Sequence, residues 1–208
     1  MKIKTLLCCM LAALMLTAGC AGPEHTPKPS HGPVEPGDWM ERTYENQSLG
    51  LALTISDEWV IGDADAVQST VLEAVQSELS GEAAHYLLKA SRYDASDITA
   101  YPMIQIAAHA LDAIEEYAAD EKEYLELIKY LIGTNSIDAL GDIITENLID
   151  GVLFYILSLE VYEKDGLVTY HTLMASERNG NMLLIAVSYL DQQQYLEALD
   201  ILASITLE

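Results

Sequence analysis

The chain has 208 residues, half of them apolar, and 33 Asp and Glu against 10 Lys and Arg set its net charge at −23. That is one globular domain's worth of chain, too apolar to be disordered. Its three cysteines all lie within the first 20 residues, which excludes a disulfide scaffold. Charge of this sign repels a phosphate backbone, which excludes nucleic acid as a partner.

Met1 to Lys4 is basic, Thr5 to Leu16 is apolar, and small residues follow up to Cys20. The apolar run is shorter than the ~20 residues a spanning helix needs, and the three-part layout is that of an export signal. Residues 1–19 therefore read as a signal peptide. Leu16-Thr17-Ala18-Gly19-Cys20 resembles the bacterial lipobox, whose cysteine becomes the first mature residue and carries diacylglycerol on sulfur. Two acyl chains make a stable anchor where one holds only marginally. An acylated Cys20 also leaves no free thiol once Cys8 and Cys9 depart with the signal, so cysteine chemistry is excluded. The expected location is extracytoplasmic, with the membrane as a partner through Cys20.

Residues 20–38 hold five of the six prolines and read as an extended tether, the stretch 21–38 reaching up to ~55 Å at ~3.1 Å per residue. Residues 39–208 form the single globular domain. Only Glu24, Glu35 and Asp38, balanced by Lys2, Lys4 and Lys28, precede it, so the domain carries the whole charge of −23.

Within the domain, Leu49, Leu51, Leu53 and Ile55 share one parity, which predicts a half-buried strand in the stretch 44–61. Asp57-Glu58 is the expected turn and Trp59-Val60-Ile61 the return strand. Val67, Val71, Leu72, Val75 and Leu79 recur at helical spacing, predicting a helix over 63–80 capped by Asp63 or Asp65. Over 103–111, Ile104, Ile106, Ala108 and Ala110 alternate; strand is preferred, and the helix that the alanines favour stays open. Leu125, Ile128, Leu131 and Ile132 predict a helix over 120–132. Leu140, Ile143, Ile144 and Leu148 predict a second, short one from Ser136 or Asp138 to Leu148.

The last third is rich in β-formers. The runs 152–163, 167–176 and 182–189 are separated by Lys164-Asp165-Gly166 and Arg178-Asn179-Gly180, whose glycines suit hairpin turns, so three strands form an antiparallel meander. Residues 191–203 return as a helix with Tyr195, Leu196, Leu199 and Leu202 inward, and 205–207 close as a short strand. No internal repeat is present.

Tyr44, Asn46, Gly50, Leu51 and Trp59, then Tyr93-Asp94-Ala95, Ile104-Gln105-Ile106 and the C-terminal meander plus helix resemble lipid-anchored proteins of clostridia-like bacteria that carry a PsbP/Mog1-like domain. The resemblance covers residues 44–207. It implies an α+β fold, a curved antiparallel sheet with helices packed on both faces in an α/β/α sandwich. It also implies an accessory, scaffold or binding role. Two features depart from the family pattern: no proline precedes Trp59, and Leu51 and Leu53 stand where aromatic residues are usual.

For chemistry, the chain has no G-x-S-x-G elbow, no S-x-x-K, no H-E-x-x-H and no glycine-rich phosphate loop. Its domain histidines His85, His109 and His171 fall on separate elements. Paired carboxylates ~5–10 Å apart hydrolyse glycosidic bonds, but among so many the sequence singles out no pair. Calcium is the one cofactor considered, through the oxygens of Asp63 and Asp65 or of Asp94 and Asp97; for the first two, helix capping is the preferred reading. Glu115, Glu116, Asp120, Glu121, Glu123 and Glu126 could form a docking face for a basic partner or simply a solvated helix surface. Tyrosine supplies twelve of the fifteen aromatic residues, a composition that suits binding surfaces. Tyr155, Tyr162, Tyr170 and Tyr189 fall on the meander, split by parity between its faces. The expected function is a non-enzymatic module that binds a protein or a small ligand, with a carboxylate-based cell-wall or glycan hydrolase, or a calcium-binding module, as the alternatives.

Overall fold

The computed structural model describes residues 34–64, 84–93, 101–114, 117–134, 138–141, 143–162 and 166–208. The signal peptide, Cys20 and all but Asp63 and Ala64 of the helix predicted over 63–80 lie outside them. In chain order the elements are β1 (Asp38–Met40), β2 (Thr43–Asn46), β3 (Leu51–Thr54), β4 (Val60–Ile61), β5 (Ala84–Ser91), β6 (Met103–Ala110), α1 (Leu111–Ile114), α2 (Glu121–Thr134), β7 (Asp138–Leu140), β8 (Ile144–Ile149), β9 (Val152–Tyr162), β10 (Val168–Arg178), β11 (Asn181–Tyr189), α3 (Gln192–Leu202) and β12 (Thr206–Leu207). The segment 103–111 is thus a strand.

The meander forms as its turns dictate. Asn179 and Gly180 take φ of 48° and 80°, the paired positive values of a two-residue hairpin turn whose twist matches that of its strands. Arg178 then pairs with Asn181, and the β10–β11 ladder runs to Tyr170 opposite Tyr189. β9 pairs with the other edge of β10, and β6 with the other edge of β11. The larger sheet has the order β4-β5-β6-β11-β10-β9-β7, with β8 also on β9; a smaller sheet has the order β1-β2-β3-β12.

β6 and β11, central in the larger sheet, are buried on both faces, which is why they read as mostly apolar runs. On β11, Leu183, Ile185 and Val187 join Leu51, Leu53 and Ile55 and α3's Ala198 and Ile201 in one core. The alternating Met182, Leu184 and Ala186 join Tyr124, Leu125 and Ile128 of α2 in a second. Each fully buried Leu or Ile contributes ~1.5–3 kcal/mol, so the two cores supply most of the drive to fold.

Three expectations are corrected. The described residues of the segment 136–148 form not a helix but β7 and β8. Asp150 and Gly151 form a second two-residue turn, with φ of 48° and 78°, which folds β8 back along β9 from Ile149 opposite Val152. Pairing with a long exposed edge outweighs an apolar spacing that also fits a helix, and Leu140, Ile143 and Leu148, the expected inward face, are 61%, 74% and 64% exposed.

The turn at 57–58 forms, but the strand after it does not return to β3. β3 already has both edges occupied, by β2 and β12, so β4 crosses to the larger sheet and pairs with β5. Arg42 steadies this crossover by donating to the carbonyls of Ile55, Ser56 and Trp59. Finally, Leu196 of α3 faces solvent, while Ala198, Ile201 and Leu202 are the buried residues of that helix.

Candidate functional site

Two tyrosines of the meander, Tyr170 and Tyr189, converge with Tyr195 of α3 at one end of the larger sheet. Cross-strand partners share a face, so the Tyr170–Tyr189 register places both rings on the same side. Their centroids are 5.7 Å apart and nearly parallel, at 18°. The chain then turns within two residues. Asp191 caps α3 by accepting the Gln194 N–H at 2.9 Å, and Gln194 reaches back to accept the Leu190 N–H at 2.7 Å. This reciprocal cap sets the angle at which α3 leaves the sheet. It brings Tyr195 over Tyr189, centroid to centroid 4.9 Å.

The result is a hollow of about 420 Å³ lined by Tyr170, Tyr189, Leu190, Asp191, Gln192 and Tyr195. The Thr172 hydroxyl lies 3.4 Å from Tyr189 Oη and also bonds Tyr195. Burial raises the Tyr195 phenol above its ordinary pKa, the neighbouring Tyr189 adds to this, and the Thr172 bond opposes it. Beyond the rim, Glu160 of β9 stands directly across from Tyr170 and accepts the Tyr162 hydroxyl at 2.6 Å. Tyr155 has the other parity and packs against the second core.

A second hollow of about 410 Å³ lies near the start of the domain, with Trp39, Tyr44, His85, Tyr86 and Leu87 among its walls. Tyr44 Oη accepts the Gly37 N–H and the Asn46 side-chain amide, both at 3.2 Å. Burial raises its phenol pKa.

Sequence reading did not foresee the polar groups inside the second core. His171 contacts Ser188 Oγ through Nδ1 and Thr169 Oγ1 through Nε2, each at 2.9 Å. Ser188 and His171 have the spacing of a nucleophile and its base, yet they are 1% and 0% exposed, and the third member is a neutral hydroxyl. Burial holds His171 uncharged, its pKa lowered to about 4. The trio is a satisfied core network, because no substrate can reach it.

Of the residues singled out from the sequence, Cys20, Asp65, Asp94, Asp97, Glu115 and Glu116 lie outside the described residues. Asp63 supplies a charge that opposes the burial-driven lowering of the Lys89 pKa. Asp120 accepts the Glu123 N–H, Glu123 accepts the Ala119 N–H and Glu121 accepts the Glu177 N–H, at 2.8, 2.8 and 3.1 Å. These acids cap α2 and tie its start to β10, and Glu126 is exposed. Asp120 and Glu121 also meet Glu146 of β8 around Tyr155, whose phenol pKa is raised, mostly by Glu146. Among the described residues no group of three His, Cys, Asp or Glu could hold a metal ion, and no helix is long and apolar enough to cross a membrane.

Antiparallel sheets with a C-terminal meander and a returning helix define an α+β domain built around tyrosine-lined hollows. Its fold is PsbP-like. The solution structure of cyanobacterial PsbP (CyanoP) from Synechocystis matches with a TM-score of 0.52 at 11% identity, over 80% of this chain and 91% of that one. Also similar are LpqN, involved in cell envelope biogenesis of Mycobacterium tuberculosis (TM-score 0.47, 14% identity, 76% and 82% covered), and a protein from Bacteroides thetaiotaomicron (0.47, 10%, 80% and 48%). No family model and no curated protein sequence matches the chain.

Proposed function

We propose that the protein is an extracytoplasmic lipoprotein, anchored through diacylglycerol on Cys20 and held off the membrane by its proline-rich tether, whose domain binds a small organic ligand without transforming it. The observation that carries this reading is the hollow at Tyr170, Tyr189 and Tyr195: aromatic faces with a few polar groups at the rim are the usual make-up of a ligand pocket. Among the described residues lining it, Asp191 is the sole carboxylate, and its Oδ1 is engaged as the cap of α3. A two-carboxylate hydrolase would need a second carboxylate there, so binding is better supported than glycan hydrolysis. The N-terminal signals support the location.

The test is a thermal-shift screen of the full chain against sugars, muropeptides, peptides and organic ammonium ions, repeated on Tyr195→Leu. A ligand at 100 times its Kd adds ~2.7 kcal/mol, a shift of several degrees. The expected result is a shift that Tyr195→Leu abolishes; one that survives this change would move the site elsewhere. For the anchor, labelling with an alkyne-bearing fatty acid in a bacterial host should mark the wild type and not Cys20→Ala.

A further inference from the structure

We infer that the tyrosine hollow takes a quaternary ammonium group, either on a free small molecule or on a phosphocholine-type headgroup; this rests on the hollow being the ligand site. Aromatic faces carry the negative lobes of a quadrupole and attract a cation lying within ~6 Å of the ring centroid. Here Tyr170 and Tyr189 lie nearly parallel at 5.7 Å and Tyr195 is tilted by 39° against Tyr189 at 4.9 Å, centroid to centroid, so a group held in the hollow has more than one ring within reach. The charge around them has the right sign. Asp191 is on the rim, Glu160 faces Tyr170 across the β9–β10 ladder, and among the described residues no Lys, Arg or His lines the hollow.

The described arginines are committed elsewhere: Arg42 to the carbonyls of the β3–β4 crossover, Arg92 to Glu58 and Glu197, Arg178 to the carbonyls of Leu49 and Glu208. A net charge of −23 further favours cations over anions in the surrounding field. The hydrogen-bonding groups then separate quaternary from primary ammonium. A primary ammonium loses water from three N–H donors and needs acceptors in return. At this site Asp191 Oδ1 already receives the Gln194 N–H and the Thr172 hydroxyl is shared between Tyr189 and Tyr195, so among the described lining residues one carboxylate oxygen, Asp191 Oδ2, is left to answer three N–H donors. A trimethylammonium group has no N–H to satisfy and presents methyl groups that pack on the rings.

The experiment is calorimetric and NMR titration of the full chain, in a maltoside detergent, with choline, phosphocholine and 3,3-dimethylbutan-1-ol, the neutral carbon counterpart of choline. Choline is expected to bind, with its N-methyl signal shifted upfield by the rings, and about tenfold more tightly than the neutral alcohol. Tyr170→Leu and Tyr195→Leu should each weaken it about fivefold, while Tyr170→Phe restores it because the ring is kept. Tighter binding of phosphocholine than of choline identifies a headgroup as the source, and the reverse order identifies a free cation; either order supports the inference. Equal affinity for choline and the alcohol overturns it while leaving the hollow a ligand site. Choline binding that ignores both leucine variants overturns it by placing the cation elsewhere. If nothing in this series or in the wider screen binds, the ligand-site reading falls with it.

Discussion

Tyr124 Oη lies 2.6 Å from His109 Nδ1, a buried hydrogen bond that joins α2 to β6. Among the described residues His109 Nε2 has no hydrogen-bond partner. Burial, helped by the charge of His85, lowers the His109 pKa to about 4, and burial alone does the same for His171.

A pH dependence follows. Both folded-state values lie below the ordinary 6.5, so between pH 6.5 and 4 the unfolded chain binds more protons than the folded one. Their contribution is whole above pH 6.5 and is lost as pH falls toward 4, by roughly 3 kcal/mol for each histidine. In melting curves from pH 7.5 to 4, His109→Gln and His171→Gln should each remove about half of the histidine-linked fall. Slopes equal to the wild type would show that these histidines titrate normally.

Gln105 is 2% exposed, and neither atom of its amide has a hydrogen-bond partner among the described residues. An unpaired buried polar group costs ~1–3 kcal/mol. Gln105→Met keeps the length and discards both polar atoms, so urea denaturation should show a gain of about 1–3 kcal/mol. Destabilisation would mean that the amide is satisfied in solution.

The β8–β9 turn allows a clean backbone test. Gly151 has φ of +78°, and a Cβ added there would meet nothing within 4 Å. Gly151→Ala therefore loads only the conformational cost, ~1–2 kcal/mol, and Gly151→Asn should cost less because Asn tolerates this region. A neutral alanine variant, read from the denaturation midpoint, would show that the turn relaxes.

Arg42 reaches three carbonyls through a planar fork that lysine lacks. Arg42→Lys should cost about 1.5–3 kcal/mol, the scale of a charge-assisted bond. Its ion pair with Asp57, at 3.5 Å, is different because Asp57 is 95% exposed. Asp57→Asn should therefore change stability by less than ~1 kcal/mol, and a larger effect would put the weight of the crossover on the pair instead.

Much of the fold is legible in the chain because local chemistry specifies it. Asn179-Gly180 can hardly avoid a hairpin, Asp120 and Asp191 are caps next to periodic apolar residues, and Leu49, Leu51, Leu53 and Ile55 announce a buried face by parity alone. The failures concern edges. Residues 136–148 carry a spacing that fits a helix, and only the free side of β9 makes strands the better solution. Val60-Ile61 is a strand both in the sequence pattern and in the fold, but its partner depends on β12, almost 150 residues later, having taken the place beside β3.

The candidate site divides in the same way. Tyr170 and Tyr189 were recognisable as meander residues and Tyr195 as part of a helix, since composition and periodicity are properties of short segments. Their meeting was not recognisable. It is set by the register of the β10–β11 ladder and by the angle of α3, and both depend on hydrogen bonds and packing between segments that only the assembled sheet brings together.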